Sequence, residues 1–356
     1  MVKFDDFGPE KIVEVYDAKS GMHGVVVIDN TFLGPGKGGI RMTSTVSTEE
    51  VFRLARTMTW KNAMAGLPFG GAKSGIIADA KTLTREKKDE IVAAFGRAIK
   101  VVCPEHYVAG PDMNMAEHEM KVIANAVGTP KACTGKPKDM GGIPHELGST
   151  GLGVFHSTLV AAPFAALDVT KATVAIEGYG NVGVFAAKFL AEKGVKIVAV
   201  SDSQGVIYNE NGIDVKKLEE VKQNQKTVTK YPDGKVLPSQ DIIGLPVDIL
   251  ITAAIPDLIN AEDLDKVKAK LIVEGSNIPM TEAVENKLAK KGVLIVPDFV
   301  ANAGGVISSY VEYIGGTEQQ MFEMVEKKII ENTRTVLETA QKKKTTPRKA
   351  AMKIAK

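Results

Sequence analysis

The sequence predicts a two-domain α/β protein, and three observations carry that prediction. The chain has 356 residues, more than one hydrophobic core usually serves. Its second half alternates short, apolar, β-branched runs with helical stretches, the pattern of a parallel sheet wound with helices. Its first half has another texture, with helical periods separated by glycine-rich loops.

In chain order, the first half carries an apolar run at 24–28 (GVVVI) and helices over about 48–65, 84–101 and 115–127. Residues 134–151, TGKPKDMGGIPHELGSTG, are dense in Gly, Pro and polar side chains and form the natural hinge or crossover. Strands follow at about 172–177, 196–201, 247–252, 271–274 and 293–296. These runs are continuously apolar, as strands buried on both faces are. The segment NVGVFAAKFLAEKG after the first of them is a helix, with Val182, Phe185, Ala186, Phe189 and Leu190 on one face and Gly194 as its stop. Helices run through about 303–340, and Thr345 and Thr346 before Pro347 open a short final one. The expected division is 1–150 plus a C-terminal helix at about 335–356 in one domain, and 151–334 in the other.

Composition excludes several classes. Apolar residues make up 44% and charged residues 25%, the balance of a globular rather than a disordered chain. No apolar run reaches the roughly 18 residues of a membrane span, and MVKFDDFGPE lacks the apolar core of a signal peptide. A cytoplasmic protein without a membrane partner is expected. Cys103 and Cys133 imply no disulfide framework and no zinc spacing, and are read as buried small hydrophobes. His106, His118 and His145 form no ligand pair and are read as structural, so no metal is expected. A net charge of +2 gives no pull toward nucleic acid. Lys342, Lys343, Lys344, Arg348 and Lys349 bunch without interleaved aromatics and read as a solvated helix end.

Gly178, Gly180 and Gly183 spell GxGxxG between a predicted strand and a predicted helix, with Asp202 nineteen residues further on. Strand, helix and acidic partner together are the context of a Rossmann-type dinucleotide-binding unit. The first glycine permits the tight turn, the second lets backbone approach a pyrophosphate, and the third lets helix and strand pack closely. Asn181 and Val182, at the helix start, offer amides and a positive dipole end to phosphate. Asp202 stands where a carboxylate would bond the adenosine ribose hydroxyls. It favours NAD by repelling a 2′-phosphate, although Ser201 and Ser203 beside it are able to donate to one. Ala253, just past the third strand of this half, is placed with the cofactor residues.

Three lysines lie in unusual settings: Lys37 in GPGKGGIRM, Lys61 in MTWKNA and Lys73 in LPFGGAKSGI. Glycine beside a lysine lets a ligand reach backbone and ammonium together, and a crowded lysine shifts its pKa down toward acid–base work. A phosphate loop fails as an alternative, because Ala72 precedes Lys73 where that motif needs glycine and Leu67 replaces its first glycine. Asp112 in VAGPDMN is either a proton carrier fixed near the lysines or a helix cap.

The ordered set GPGKGGIRM, MTWKNA, PFGGAKSGI, AGPDMN, TGKP, GYGNVG and PDFVANAGGVISSY resembles the glutamate, leucine, phenylalanine and valine dehydrogenase family, most of all its glutamate enzymes. The resemblance spans nearly the whole chain. It implies an N-terminal α/β substrate and assembly domain, a Rossmann-type domain for NAD or NADP, and a catalytic cleft between them, in a homo-oligomer, hexamer or octamer. It implies oxidative deamination of glutamate to 2-oxoglutarate and ammonia. Carried over by motif, Lys73 is the catalytic lysine and Asp112 the proton carrier, while Lys61 holds the α-carboxylate. Lys37 and Ser309 match the pair that grips the side-chain carboxylate, and Thr150, Asn277 and Asn302 resemble residues near the nicotinamide. A branched apolar substrate would leave the Lys37 ammonium unpaired at a cost of a few kcal/mol. The alternatives are a leucine, valine or phenylalanine dehydrogenase and a non-catalytic dinucleotide-binding paralogue.

Overall fold

The structure is a computed structural model describing residues 2–144 and 147–356. Met1, His145 and Glu146 lie outside the described residues, and with them the reading of His145 as structural. The chain forms two compact units, Met1–Leu147 with Val306–Met321 and Ala355–Lys356, and Gly148–Gly305 with Phe322–Ile354. The part of the C-terminal region in the first unit is thus mainly 306–321; of the stretch expected to return, about 335–356, Ala355 and Lys356 fall in the first unit and the rest in the second.

The first unit holds β1 (Lys11–Asp17), β2 (Met22–Asn30), β3 (Gly36–Lys37), β4 (Ile40–Thr43), α1 (Thr48–Met64), β5 (Gly70–Ile77), α2 (Arg85–Ala98), β6 (Tyr107–Val108) and α3 (Glu117–Val127). Its sheet runs β1-β2-β5-β3-β6, with β4 also pairing β5. The Ser47 hydroxyl caps α1 by accepting the Glu50 amide. On one face Ile91, Val92 and Phe95 of α2 and Met120 and Ile123 of α3 pack against Val26 and Ile28. On the other, Val51 and Ala55 of α1 meet Val25 and Val27. Alternate residues of β2 feed the two cores, so this strand is buried from Gly24 to Asp29 rather than amphipathic. GGAKSGII is strand β5 rather than the loop its glycines suggest. A Cβ on Gly71 would fall 2.0 Å from Thr59 Oγ1 and 2.3 Å from Thr59 N, so the missing side chain is what lets α1 lie on the sheet.

The second unit holds α4 (Ser149–Ala161), β7 (Thr173–Glu177), α5 (Asn181–Glu192), β8 (Lys196–Asp202), β9 (Gly205–Tyr208), α6 (Val215–Gln225), β10 (Lys235–Leu237), β11 (Ile249–Thr252), β12 (Leu271–Glu274), α7 (Glu282–Lys290), β13 (Leu294–Val296) and α8 (Asp298–Ala301). Three further helices, α9 (Gly304–Tyr313), α10 (Glu318–Lys343) and α11 (Pro347–Ala355), close the chain and divide between the units. The sheet order is β10-β9-β8-β7-β11-β12-β13. The five expected strands are the parallel ones, while β9 and β10 are antiparallel additions after a tight turn from Asp202 to Gly205. The order therefore reverses between β7 and β11, at whose carboxyl ends an open α/β sheet binds its ligand.

One expectation is corrected here. Arg348 is no solvated residue: its guanidinium donates to Glu274 at 2.9 Å, Glu285 at 2.6 Å and Asp298 at 3.0 Å. Three carboxylates drawn from β12, α7 and α8 make an interior site for a cation that the local lysine run conceals. Lys342, Lys343, Lys344 and Lys349 are exposed, as read.

Candidate active site

In the first unit the chemistry gathers on β3, β5 and the turn after β6. Lys73 sits mid-strand on β5, opposite Val27, and is buried. Its ammonium meets Asp112 Oδ2 at 2.9 Å. Asp112 is fixed by paired backbone hydrogen bonds with Met115, so the local turn, not a helix cap, positions it. A Cβ on Gly39 would come within 2.9 Å of Asp112 Cβ and 2.5 Å of the Pro111 carbonyl, so glycine there admits the approach. Arg41, absent from the sequence reading, donates to the same Oδ2 at 3.0 Å and is held from behind by Glu50. Burial pushes the Asp112 carboxyl up, but the Lys73 and Arg41 charges outweigh it and hold the group below its ordinary value.

Lys37 lies on β3, between β5 and β6, and is 3% exposed. Its ammonium donates to the Ala109 carbonyl at 2.9 Å, and among the described residues it forms no ion pair. Burial brings its pKa down to about 8, opposed by the Glu312 carboxylate and helped by the Lys73 charge. Close by, the buried Thr134 hydroxyl has no partner among the described residues. Lys61 is buried near the end of α1, and Ser309 is half-buried on α9. Glu312, one turn beyond Ser309, accepts from the amides of Gly135, Lys136 and Ile143 and pairs with the Lys136 ammonium at 2.5 Å. This carboxylate ties the TGKP segment to α9, and the sequence offered no signal for it beyond its place at the end of the GGVISSY run. Cys103 and Cys133 are buried free thiols, each pushed up to about 12 by burial.

In the second unit, Gly178 has φ +91 at the end of β7, and a Cβ on Gly183 would fall 1.9 Å from the Gly178 carbonyl oxygen. A Cβ on Gly180, in contrast, would meet nothing within 4 Å. Turn, close packing and open space thus fall to Gly178, Gly183 and Gly180 in that order. Asn181 and Val182 open α5, whose N-cap is Gly180. Beside the glycine turn lies a cavity of about 440 Å³, lined by Gly178, Gly180, Asp202, Ser203, Ser239 and Ala253 among others. Glu177 fixes its wall, accepting from the amides of Ala253 and Ala254 at 3.0 and 3.1 Å. Asn302 donates to Asn277 Oδ1 at 3.0 Å, while its own buried Oδ1 has no partner among the described residues. Thr150 lies in the first turn of α4, its hydroxyl 3.0 Å from where a Cβ on Gly305 would be. The residues thus fit a dinucleotide: a glycine cradle open to phosphate, a helix start, and an orphaned acceptor.

The second unit is a Rossmann-like sheet domain with an open cavity at its glycine turn. The sequence matches the model described as Glutamate/Leucine/Phenylalanine/Valine dehydrogenase over residues 141–356 and that of the Glu/Leu/Phe/Val dehydrogenase dimerisation domain over 9–129. It is 43% identical over 321 residues to a glutamate dehydrogenase of Aeropyrum pernix, covering 86% of this chain and 77% of that one. It is 38% identical over 320 residues to an NADP-specific glutamate dehydrogenase of Saccharolobus shibatae, covering 86% and 75%. The fold is similar to that of a hetero-hexameric glutamate dehydrogenase from Thermus thermophilus in its Leu bound form, with TM-score 0.86, 27% identity and coverage of 98% and 87%. The chain belongs to the Glu/Leu/Phe/Val dehydrogenase family and is an amino-acid dehydrogenase acting on CH–NH2 donors with NAD(P).

Proposed function

We propose that the chain is a glutamate dehydrogenase, converting L-glutamate and water reversibly to 2-oxoglutarate and ammonia. The observation that carries the substrate is Lys37, a buried ammonium whose partner is a neutral carbonyl and whose pKa has fallen to about 8. A dicarboxylate supplies the missing charge, whereas an apolar side chain would seal the cation in without one.

In this reading the first unit takes the amino acid and the assembly contacts, and the second takes the dinucleotide. Lys61 holds the α-carboxylate, and Lys37 with Ser309 holds the side-chain carboxylate. Asp112, kept ionised by Lys73 and Arg41, takes a proton from the substrate ammonium and returns it to the departing amino group. Lys73 polarises the α-carbon centre and activates the water that adds to it. Its contact with Asp112 gives protons a path between water and nitrogen. NAD(P)+, when bound, accepts the hydride from the substrate α-carbon. Gly178, Gly180, Asn181, Val182 and Gly183 receive the pyrophosphate, with Ala253 in the wall. Thr150, Asn277 and Asn302 would hold the nicotinamide, the orphaned Asn302 Oδ1 being able to accept from its carboxamide N–H. NAD is among the coenzymes used. The protein assembles as a closed homo-oligomer of six or eight subunits, which light scattering would count.

Assay of glutamate against leucine, valine and phenylalanine, with NAD and NADP separately, tests the substrate. Turnover of leucine alone would sink the Lys37 assignment. Lys73→Ala should abolish turnover with coenzyme binding intact, and substantial retained activity would remove Lys73 from its role.

A further inference from the structure

A carboxylate that grips ribose hydroxyls needs lone pairs to spare, and Asp202 has spent its own. It offers about four acceptor positions. Oδ1 accepts from the Gln204 amide at 2.9 Å and the Thr227 hydroxyl at 3.2 Å. Oδ2 accepts from the Val228 amide at 2.8 Å and the Lys222 ammonium at 2.7 Å. The side chain is 7% exposed, so these partners enclose it, whereas Lys222 is 28% exposed and keeps one side toward solvent. Asp202 thus works as a tie between the end of β8, helix α6 and the turn at 227–230.

The charge is spent as well. Exclusion of a 2′-phosphate rests on an uncompensated carboxylate at this strand end. Here an ammonium stands against it at ion-pair distance, leaving the pair close to neutral as seen from the cavity. The same wall carries Ser203, Ser239 and Gln240, side chains that can donate to phosphate oxygens. Ser239 is already bonded through its hydroxyl to the Asp202 carbonyl at 3.2 Å, which brings its turn against the strand end.

We infer that Lys222, by pairing with Asp202, removes the discrimination against a 2′-phosphate, so that the chain binds both NADP and NAD. This rests on the coenzyme reading above. Lys222 sets coenzyme choice through the charge it cancels, and Asp202 holds the fold of the pocket rather than the ribose.

Isothermal calorimetry tests this without turnover, using NAD and NADP and the fragments 5′-AMP and 2′,5′-ADP. The wild-type protein should bind NADP no more than tenfold more weakly than NAD, and the fragments should follow. A larger deficit for NADP overturns the inference while leaving the dehydrogenase reading intact, and binding of neither coenzyme refutes that reading itself. Lys222→Met should lower the NADP-to-NAD affinity ratio at least tenfold, and a smaller change removes Lys222 from the assignment. Since no acceptor of Asp202 is left for the ribose 2′-hydroxyl, replacing 5′-AMP by 2′-deoxy-5′-AMP should change wild-type affinity less than threefold. A greater loss on removing that hydroxyl would return Asp202 to the ribose.

Discussion

A buried ammonium bonded to a neutral carbonyl gives up its proton early, and Lys37 is brought down to about 8 in this way. Only the charged form answers a side-chain carboxylate, so substrate binding should be full below about pH 8 and decline above it. The KM for glutamate should then rise about tenfold per pH unit, with kcat little changed. Lys37→Met should give a high KM that is flat in pH, and a wild-type KM constant from neutral to strongly alkaline pH would dismiss Lys37 as the anchor. Arg41 yields a second test, because it helps hold the Asp112 carboxyl below its ordinary value. Arg41→Met removes one stabilising charge, so the acid limb of kcat/KM should move to higher pH. An unmoved limb would show that Lys73 suffices. Lys37, Lys73 and Asp112 were legible because glycine crowds each of them within a few residues. Arg41 stood inside the same GPGKGGIRM run and was passed over, since its partner lies 71 residues away.

Elements were legible where their periodicity was their own. The parallel strands of the second unit have apolar interiors because both faces are covered, and polar residues fall only at their ends. Strands β9 and β10 were missed because they are short and sit among polar residues, their pairing set by the tight turn at Asp202 rather than by a hydrophobic run. Strand β5 was hidden for the opposite reason: glycine argues against a strand, yet here it is what the neighbouring helix demands. Gly71→Ala should force α1 away from the sheet and cost about 2–3 kcal/mol, since the added carbon would overlap Thr59. It would displace the end of α1 that carries Lys61, so KM should rise together with the fall in thermal midpoint. A Gly71→Ala protein with wild-type stability would mean that the helix shifts freely.

At the scale of the molecule, the chain enters its second unit at Gly148, inside the Gly- and Pro-rich stretch 134–151, but the sequence concealed that it leaves at Val306, returns at Phe322 and leaves again at Ala355. No local pattern marks these later crossings. Arg348 illustrates the cost of reading locally, since the carboxylates that surround it lie 50 to 74 residues back along the chain. Burial pushes Glu285 up to about 7 despite the nearby Arg348, and burial with the Glu285 and Asp298 charges pushes Glu274 well above its ordinary value. The sign follows from proton counting. Between about 4.5 and about 7 the folded Glu285 keeps a proton that the unfolded chain has lost, so stability in the second unit should fall as pH rises through that window. Arg348→Met takes away the opposing cation and leaves three buried acids facing one another, which should cost about 3–5 kcal/mol near neutral pH. The loss should shrink on acidification, as protonation relieves the repulsion. Hydrogen exchange locates the effect, with faster exchange in β12 and β13 of the variant and little change in β2 and β5. Equal acceleration in both sheets, or a penalty that grows as pH is lowered, would mean that Arg348 is not the counter-charge holding the ends of β12, α7 and α8 together.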